Sequence, residues 1–132
     1  MANQTNFHFT MVTPERPVLE CDASFVAFPA HDGEVGIKTG RAPLLYRMGS
    51  GRLRVQSDDE THVYFVAGGF AQMDNNRLTL LTEQAITAVE LDRAEAREAL
   101  QAALAITATD DESYAAKTRA MDAARAQLRL AG

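Results

Sequence analysis

The spacing of hydrophobic residues changes period once along the chain. Near the start, Phe7, Phe9 and Met11 alternate with His8 and Thr10, the period of two that marks a half-buried strand. Short runs of the same kind follow at Ser24–Phe28, Val35–Ile37, Ala42–Met48, Arg52–Gln56, His62–Val66, Phe70–Met73 and Leu78–Leu81. Between them lie turn-forming segments: Thr13 to Pro17, Gly49-Ser50-Gly51, Ser57–Glu60 and Asp74-Asn75-Asn76. Many short strands punctuated in this way predict a β-sandwich or barrel. Arg52, Arg54 and Gln56 alternate with Leu53 and Val55, giving one wet and one dry face.

From Leu91 onward the period is helical. Ala96, Ala99, Leu100, Ala103 and Leu104 fall at helical intervals, and Tyr114, Met121 and Leu128 recur every seven residues. Asp92 with Glu95, and Thr109 with Glu112, each match a capping box at a helix start, and Thr107–Asp111 reads as the break between two helices. Alanines at facing positions let antiparallel helices approach closely. The pattern therefore predicts a mainly β domain over residues 1–88 and an antiparallel two-helix hairpin over 89–132.

Composition sharpens this division. All four prolines and seven of the eight glycines precede Phe70, whereas the last 41 residues hold 14 alanines. Gly and Pro punctuate turns, and Ala is the strongest helix former. A buried Ala methyl contributes only about 1 kcal/mol, so the hairpin is expected to rely partly on its own β domain or on a partner.

Residues 1–88 carry 7 Lys+Arg against 10 Asp+Glu, and the rest 6 against 8. Neither half offers the basic field expected of a nucleic-acid binder or of direct attachment to an anionic membrane. The longest apolar run, Val63–Ala67, is far shorter than the ~20 residues of a membrane span. No leader pattern precedes Phe7, and Cys21 is the only cysteine. Both point to a soluble protein of a reducing compartment.

Candidate chemistry is sparse. No nucleophile motif, phosphate loop, dinucleotide fingerprint or paired-Cys metal pattern occurs. His8 and His62 read as strand-face residues, and Cys21 lacks a basic neighbour. His31 beside Asp32 could form an acid–base pair, but Pro29 to Gly33 reads more simply as a polar turn. Asp58-Asp59-Glu60 reads as a solvated hairpin tip rather than a cation site. Neither a cofactor nor a metal is expected.

Several spaced motifs nevertheless point in one direction. Gly33-Glu34-Val35-Gly36-Ile37, followed by Arg41-Ala42-Pro43-Leu44-Leu45, resembles the "GELGI…HAPLL" signature of the epsilon subunit of F-type ATP synthase, called delta in mitochondria. Met11 to Glu15 is similar to that family's first strand and turn. Val66 to Phe70 is similar to its "SGG" strand, Leu78–Thr82 to its "VTVLAD" strand, and Ala126 to Arg129 to the end of its second helix. The likeness is colinear over nearly the whole chain.

The resemblance implies an N-terminal β-sandwich of about ten short strands followed by a helical hairpin. It also implies a non-catalytic rotor component that rides on the central stalk with the gamma subunit and touches the ring of c subunits. Such a subunit couples proton flow to rotation and often restrains ATP hydrolysis through its tail. Its membrane association comes only through the complex, at the cytoplasmic face. Carried over residue by residue, Glu34 and Arg41 match the positions that meet the polar loops of the c-ring. Gly36 and the turn Gly40-Arg41-Ala42-Pro43 shape that surface, although these glycines and Pro43 are equally consistent with turns alone.

Three departures from the family pattern bear on function. Arg41 stands where His is common; Arg is permanently charged, so ring contact is expected to persist across pH. In the ATP-binding motif of some bacterial members, Leu91, Asp92 and Ala96 match, but Glu95 replaces the Arg, so ATP binding is expected to be weak or absent. Finally, some members continue past the position of Gly132 into the catalytic head. Lys117, Arg119, Arg125 and Arg129 can still face the alpha and beta catalytic subunits, or be a solvated face balanced by Asp111, Glu112 and Asp122. Inhibition through an extended tail is the weaker expectation.

Two other function classes fit parts of the chain. One is a small hydrolase or lyase using His31 and Asp32, which His31→Ala would disable. The other is a free-standing adaptor that binds a partner helix through the hairpin, with the 33–45 region dispensable.

Overall fold

The computed structural model describes residues 6–30 and 32–131. His31, and with it the His31–Asp32 pair, lies outside the described residues. Eight strands come first: β1 (Phe7–Val12), β2 (Pro17–Ala23), β3 (Phe25–Ala30), β4 (Gly33–Lys38), β5 (Leu44–Ser57), β6 (Glu60–Asp74), β7 (Arg77–Leu81) and β8 (Ala85–Thr87). A short 3-10 turn at Ala88–Glu90 leads into helices α1 (Arg93–Leu104) and α2 (Asp111–Leu130). Strands run in the order β2-β1-β7-β6-β5-β3-β4, with β8 added on β6.

Two strands are longer than the sequence pattern suggests, and they turn one continuous sheet into two layers. β5 runs through Gly49-Ser50-Gly51, which reads as a turn, and β6 runs through Gly68-Gly69. Leu44 to Met48 pairs with Gly69 to Met73, and Ser50 to Ser57 with Glu60 to Ala67, so the glycines face one another at the bend. β7 and then β1 extend the first half; β3 and then β4 extend the second. Counted by layer, the two bent strands each serve twice, which accounts for the expected tally of short strands.

The bend needs glycine. Gly68 and Gly69 have φ of 68° and 112°, and a Cβ on Gly69 would lie 1.8 Å from the Leu81 carbonyl oxygen. No L side chain fits there, because backbone rather than a movable side chain fills the space.

The core sits between the layers. Phe7, Phe9 and Met11 from β1, Val26 and Phe28 from β3, Ile37 from β4, Leu53 and Val55 from β5, Met73 from β6, and Leu78 and Leu80 from β7 form one cluster. These are the apolar members of the alternating runs, as a period of two requires. β2 was not evident from the pattern, since Val18 and Leu19 are adjacent and a bulge at Met11/Val12 shifts its register.

The hairpin forms where the helical spacing places it. Asp92 caps α1, its carboxylate accepting from the Ala94 and Glu95 amides at 2.8 and 3.2 Å. The start of α2 differs by one residue from the Thr109–Glu112 expectation. Asp110 is the cap and Ser113 its reciprocal partner, because the Ser113 hydroxyl lies 3.1 Å from the Asp110 amide. Arg93 Nη1 donates to the Ala131 carbonyl at 3.1 Å, tying the start of α1 to the end of α2.

α1 packs on α2, and α2 packs on β5 and β6. Ala124 and Ala126 of α2 are both buried. Two residues apart on a helix point about 200° apart, so α2 is covered from two sides there. Met121 and Leu128 of the seven-residue stripe are half-buried, but Tyr114 is 62 % exposed, since burial concentrates in the C-terminal half of α2. No helix among the described residues is long and apolar enough to cross a membrane.

Candidate interaction surface

The structure joins most of the sequence motif at one edge of the sandwich. β4 ends at Lys38, and residues 39–43 then cross to β5. Gly40 takes φ of 78°, with open space where a Cβ would stand. Arg41, Ala42 and Pro43 are all exposed. Arg41 folds back so that Nη1 lies 3.5 Å from the Gly36 carbonyl, a long contact that links the two halves of the motif. A Cβ on Gly36 would lie 3.0 Å from the Phe25 ring, so a larger residue there would have to push that ring aside.

Glu34 is placed apart from Arg41. It lies at the start of β4 opposite Pro29, and its carboxylate is 4.0 Å from Arg52. This exposed pair contributes little to stability. Gly36, Gly40, Arg41, Ala42 and Pro43 thus share one neighbourhood, and Glu34 lies beyond it along the strand.

Two features of this surface are absent from the sequence reading. Residues 39–43 share an open groove of about 580 Å³ with Asn75 and Asn76 of the β6–β7 turn. On the outer face of β5, β6 and β7, Leu45, Phe70 and Leu81 are 70, 50 and 51 % exposed. Phe70 pairs with Leu81, and Leu81 with Val12, so the register lines up an apolar row. The alternation that buries Ala71 and Leu80 requires their neighbours to face outward. That outward exposure was readable; its alignment across three strands was not.

The remaining candidates lie outside this surface. His8 lies 2.7 Å from Glu20 and 3.4 Å from Asp22 across β1 and β2, and His62 lies 3.5 Å from Glu60. Burial pushes the Cys21 thiol up from its ordinary value, which makes it a poorer nucleophile. Asp58 and Asp59 form the tip between β5 and β6. No grouping of three metal-ligating side chains occurs among the described residues. In the degenerate nucleotide motif, the Asp92 carboxylate is already engaged by two amides and Arg93 by Ala131. Arg119, Arg125 and Arg129 are exposed on α2, and Lys117 is half-buried.

Comparison with known proteins identifies relatives of this chain. Residues 6–88 match the beta-sandwich domain of the ATP synthase delta/epsilon chain. The ATP synthase epsilon chain of Rhodopirellula baltica is 44 % identical over 119 residues, covering 90 % of this chain and 93 % of that one. That of Synechococcus elongatus is 36 % identical over 126 residues, covering 92 % of each. Among solved structures, a chain of the Euglena gracilis mitochondrial ATP synthase OSCP/F1/c-ring assembly superposes with a TM-score of 0.80 at 19 % identity, over 95 % of this chain and 81 % of that one. A chain of the Tetrahymena thermophila ATP synthase central stalk/c-ring gives 0.74 at 15 % identity, over the full length of both. These two superpositions establish a shared fold. With the sandwich matched throughout and relatives covered nearly end to end, this chain belongs to the ATP synthase delta/epsilon family.

Proposed function

We propose that this chain, a non-catalytic epsilon subunit of ATP synthase by family, rides on the central stalk and couples rotation to ion flow by contacting two partners. Residues 1–88 act as the docking body and 89–132 as the regulatory hairpin. The c-ring meets the edge formed by Gly36, Gly40, Arg41, Ala42 and Pro43, with Glu34 at its margin. The gamma subunit meets the apolar outer face at Leu45, Phe70 and Leu81. The observation that carries this reading is the exposed, glycine-shaped crossover at residues 39–43, folded back onto Gly36 by Arg41.

The subunit is peripheral, held at the cytoplasmic face of the membrane through the complex. The cationic residues Lys117, Arg119, Arg125 and Arg129 give α2 a means to meet acidic loops of the alpha and beta subunits. ATP binding is expected to be weak or absent, because Glu95 repels triphosphate and Asp92 is spent as a cap. Micromolar affinity in a calorimetric titration would contradict that.

Titration of the purified chain against the gamma subunit of the same organism tests the assignment. Tight one-to-one binding is expected. A folded chain that fails to bind gamma would favour the adaptor reading instead.

A further inference from the structure

The turn between β6 and β7 passes through Asn75 and Asn76, whose φ values are 51° and 59°. Two successive positive φ values favour glycine at the second position. Asparagine tolerates that conformation, and here its amide makes contacts that glycine could not. Asn76 Oδ1 accepts from the Gly40 amide at 3.1 Å and from the Thr39 hydroxyl at 3.2 Å. Its Nδ2 donates to the Asn6 carbonyl at 2.9 Å. The Thr39 proton has that same Asn6 carbonyl as an alternative acceptor at 3.3 Å. The Asn76 backbone carbonyl accepts from the His8 amide at 3.0 Å.

One side chain therefore joins three segments up to 70 residues apart: the entry to β1, the β4–β5 crossover and the β6–β7 turn. Its grip falls on Thr39 and Gly40, immediately before the exposed run Arg41-Ala42-Pro43. Gly40 is the point of greatest backbone freedom in that crossover. Fixing it lowers the ordering cost of any complex the crossover makes.

We propose that Asn76 is a positioning residue for the ring-facing crossover: its amide holds Thr39 and Gly40 so that Arg41, Ala42 and Pro43 meet the c-ring in one conformation. This rests on the assignment of that crossover to the c-ring made above.

Asn76→Gly keeps the turn and deletes the amide. Asn76→Asp keeps an acceptor oxygen for Thr39 and Gly40, but it replaces the donation to Asn6 with a carboxylate oxygen facing that carbonyl, so the contact with the entry to β1 is lost and opposed. Full-length wild type and both variants are compared for binding to detergent-solubilised c-ring and to gamma, and for exchange of the Gly40 amide by NMR in the free chain. For Asn76→Gly, Gly40 exchange is expected to rise about tenfold and ring affinity to fall about tenfold, with gamma affinity unchanged. Asn76→Asp is expected to retain Gly40 protection and to bind the ring within about threefold of wild type. Equal ring affinity in wild type and Asn76→Gly would overturn the proposal. So would parallel loss of ring and gamma binding without rescue by Asp, the signature of a merely structural residue. A wild-type chain that ignores the ring overturns the crossover assignment itself, while Gly40 exchange still reports whether Asn76 orders the crossover.

Discussion

In the sandwich most buried residues are large: Phe7, Phe9, Phe28, Met11, Ile37, Leu53, Leu78 and Leu80 are all essentially inaccessible to solvent, with a few alanines between them. In the two helices they are Ala96, Ala103, Ala124 and Ala126. A Phe or Leu side chain contributes about 1.5–3 kcal/mol on burial, whereas an Ala methyl contributes about 0.8. The sandwich therefore holds itself together, and the hairpin is held mainly by close helix approach, by its caps and by the contact of α2 with β5 and β6. The contrast suits a subunit with one part docked rigidly and one part free to change position at small cost.

The contrast is broken most sharply from the core. Phe9→Ala is expected to cost about 3–5 kcal/mol, because the cavity lies between the two layers of one bent sheet, which collapse only partly around it. Chemical denaturation should register nearly all of this as loss of the whole sandwich. The matching change in the hairpin is Ala103→Gly, expected to cost about 2 kcal/mol, roughly half from helix propensity and half from the buried methyl. Helical ellipticity should fall while the sandwich midpoint stays where it was; a shared shift would mean the two parts unfold as one.

A smaller effect sharpens the docking side. Arg41→His should give ring binding a pH dependence of a few-fold, weakening as pH rises through about 6.5, while wild type stays flat. Parallel profiles would show that charge at position 41 is not used.

Smallest of all is the acid response of α2. The hydrogen bonds from the Ser113 side chain and backbone hold the Asp110 carboxyl below its ordinary value. A carboxylate stabilised this way supports the fold above the unfolded value and loses that support as pH falls through the folded one. Helix α2 should therefore begin to fray below about pH 4, before the sandwich unfolds. Asp110→Asn should flatten that part of the ellipticity curve, and an unchanged curve would assign the acid response elsewhere.

The division into sandwich and hairpin was legible because hydrophobic period and alanine content are local properties. What escaped was set by distant partners. Gly49-Ser50-Gly51 has the composition of a turn, and only its pairing opposite Gly68-Gly69 makes it a bend in one strand. Asn76 read as an ordinary turn residue because Thr39, Gly40 and Asn6 are far from it in sequence. The cap of α2 shifted by one residue because Ser113 can do the work expected of Glu112. Of the candidate surface, Arg41 and its neighbours were visible as a motif. The groove with Asn75 and Asn76, and the row from Phe70 to Leu81, required the register.

The most direct test of the division of labour is the affinity of the full chain for a gamma–c-ring subcomplex, measured for two variants against wild type. One reverses charge at the sandwich edge (Arg41→Glu); the other removes the hairpin cations (Lys117→Ala, Arg119→Ala, Arg125→Ala and Arg129→Ala together). Docking through the sandwich predicts about a tenfold or greater loss for the first and wild-type affinity for the second. Loss confined to the hairpin variant, with Arg41→Glu binding normally, would contradict it.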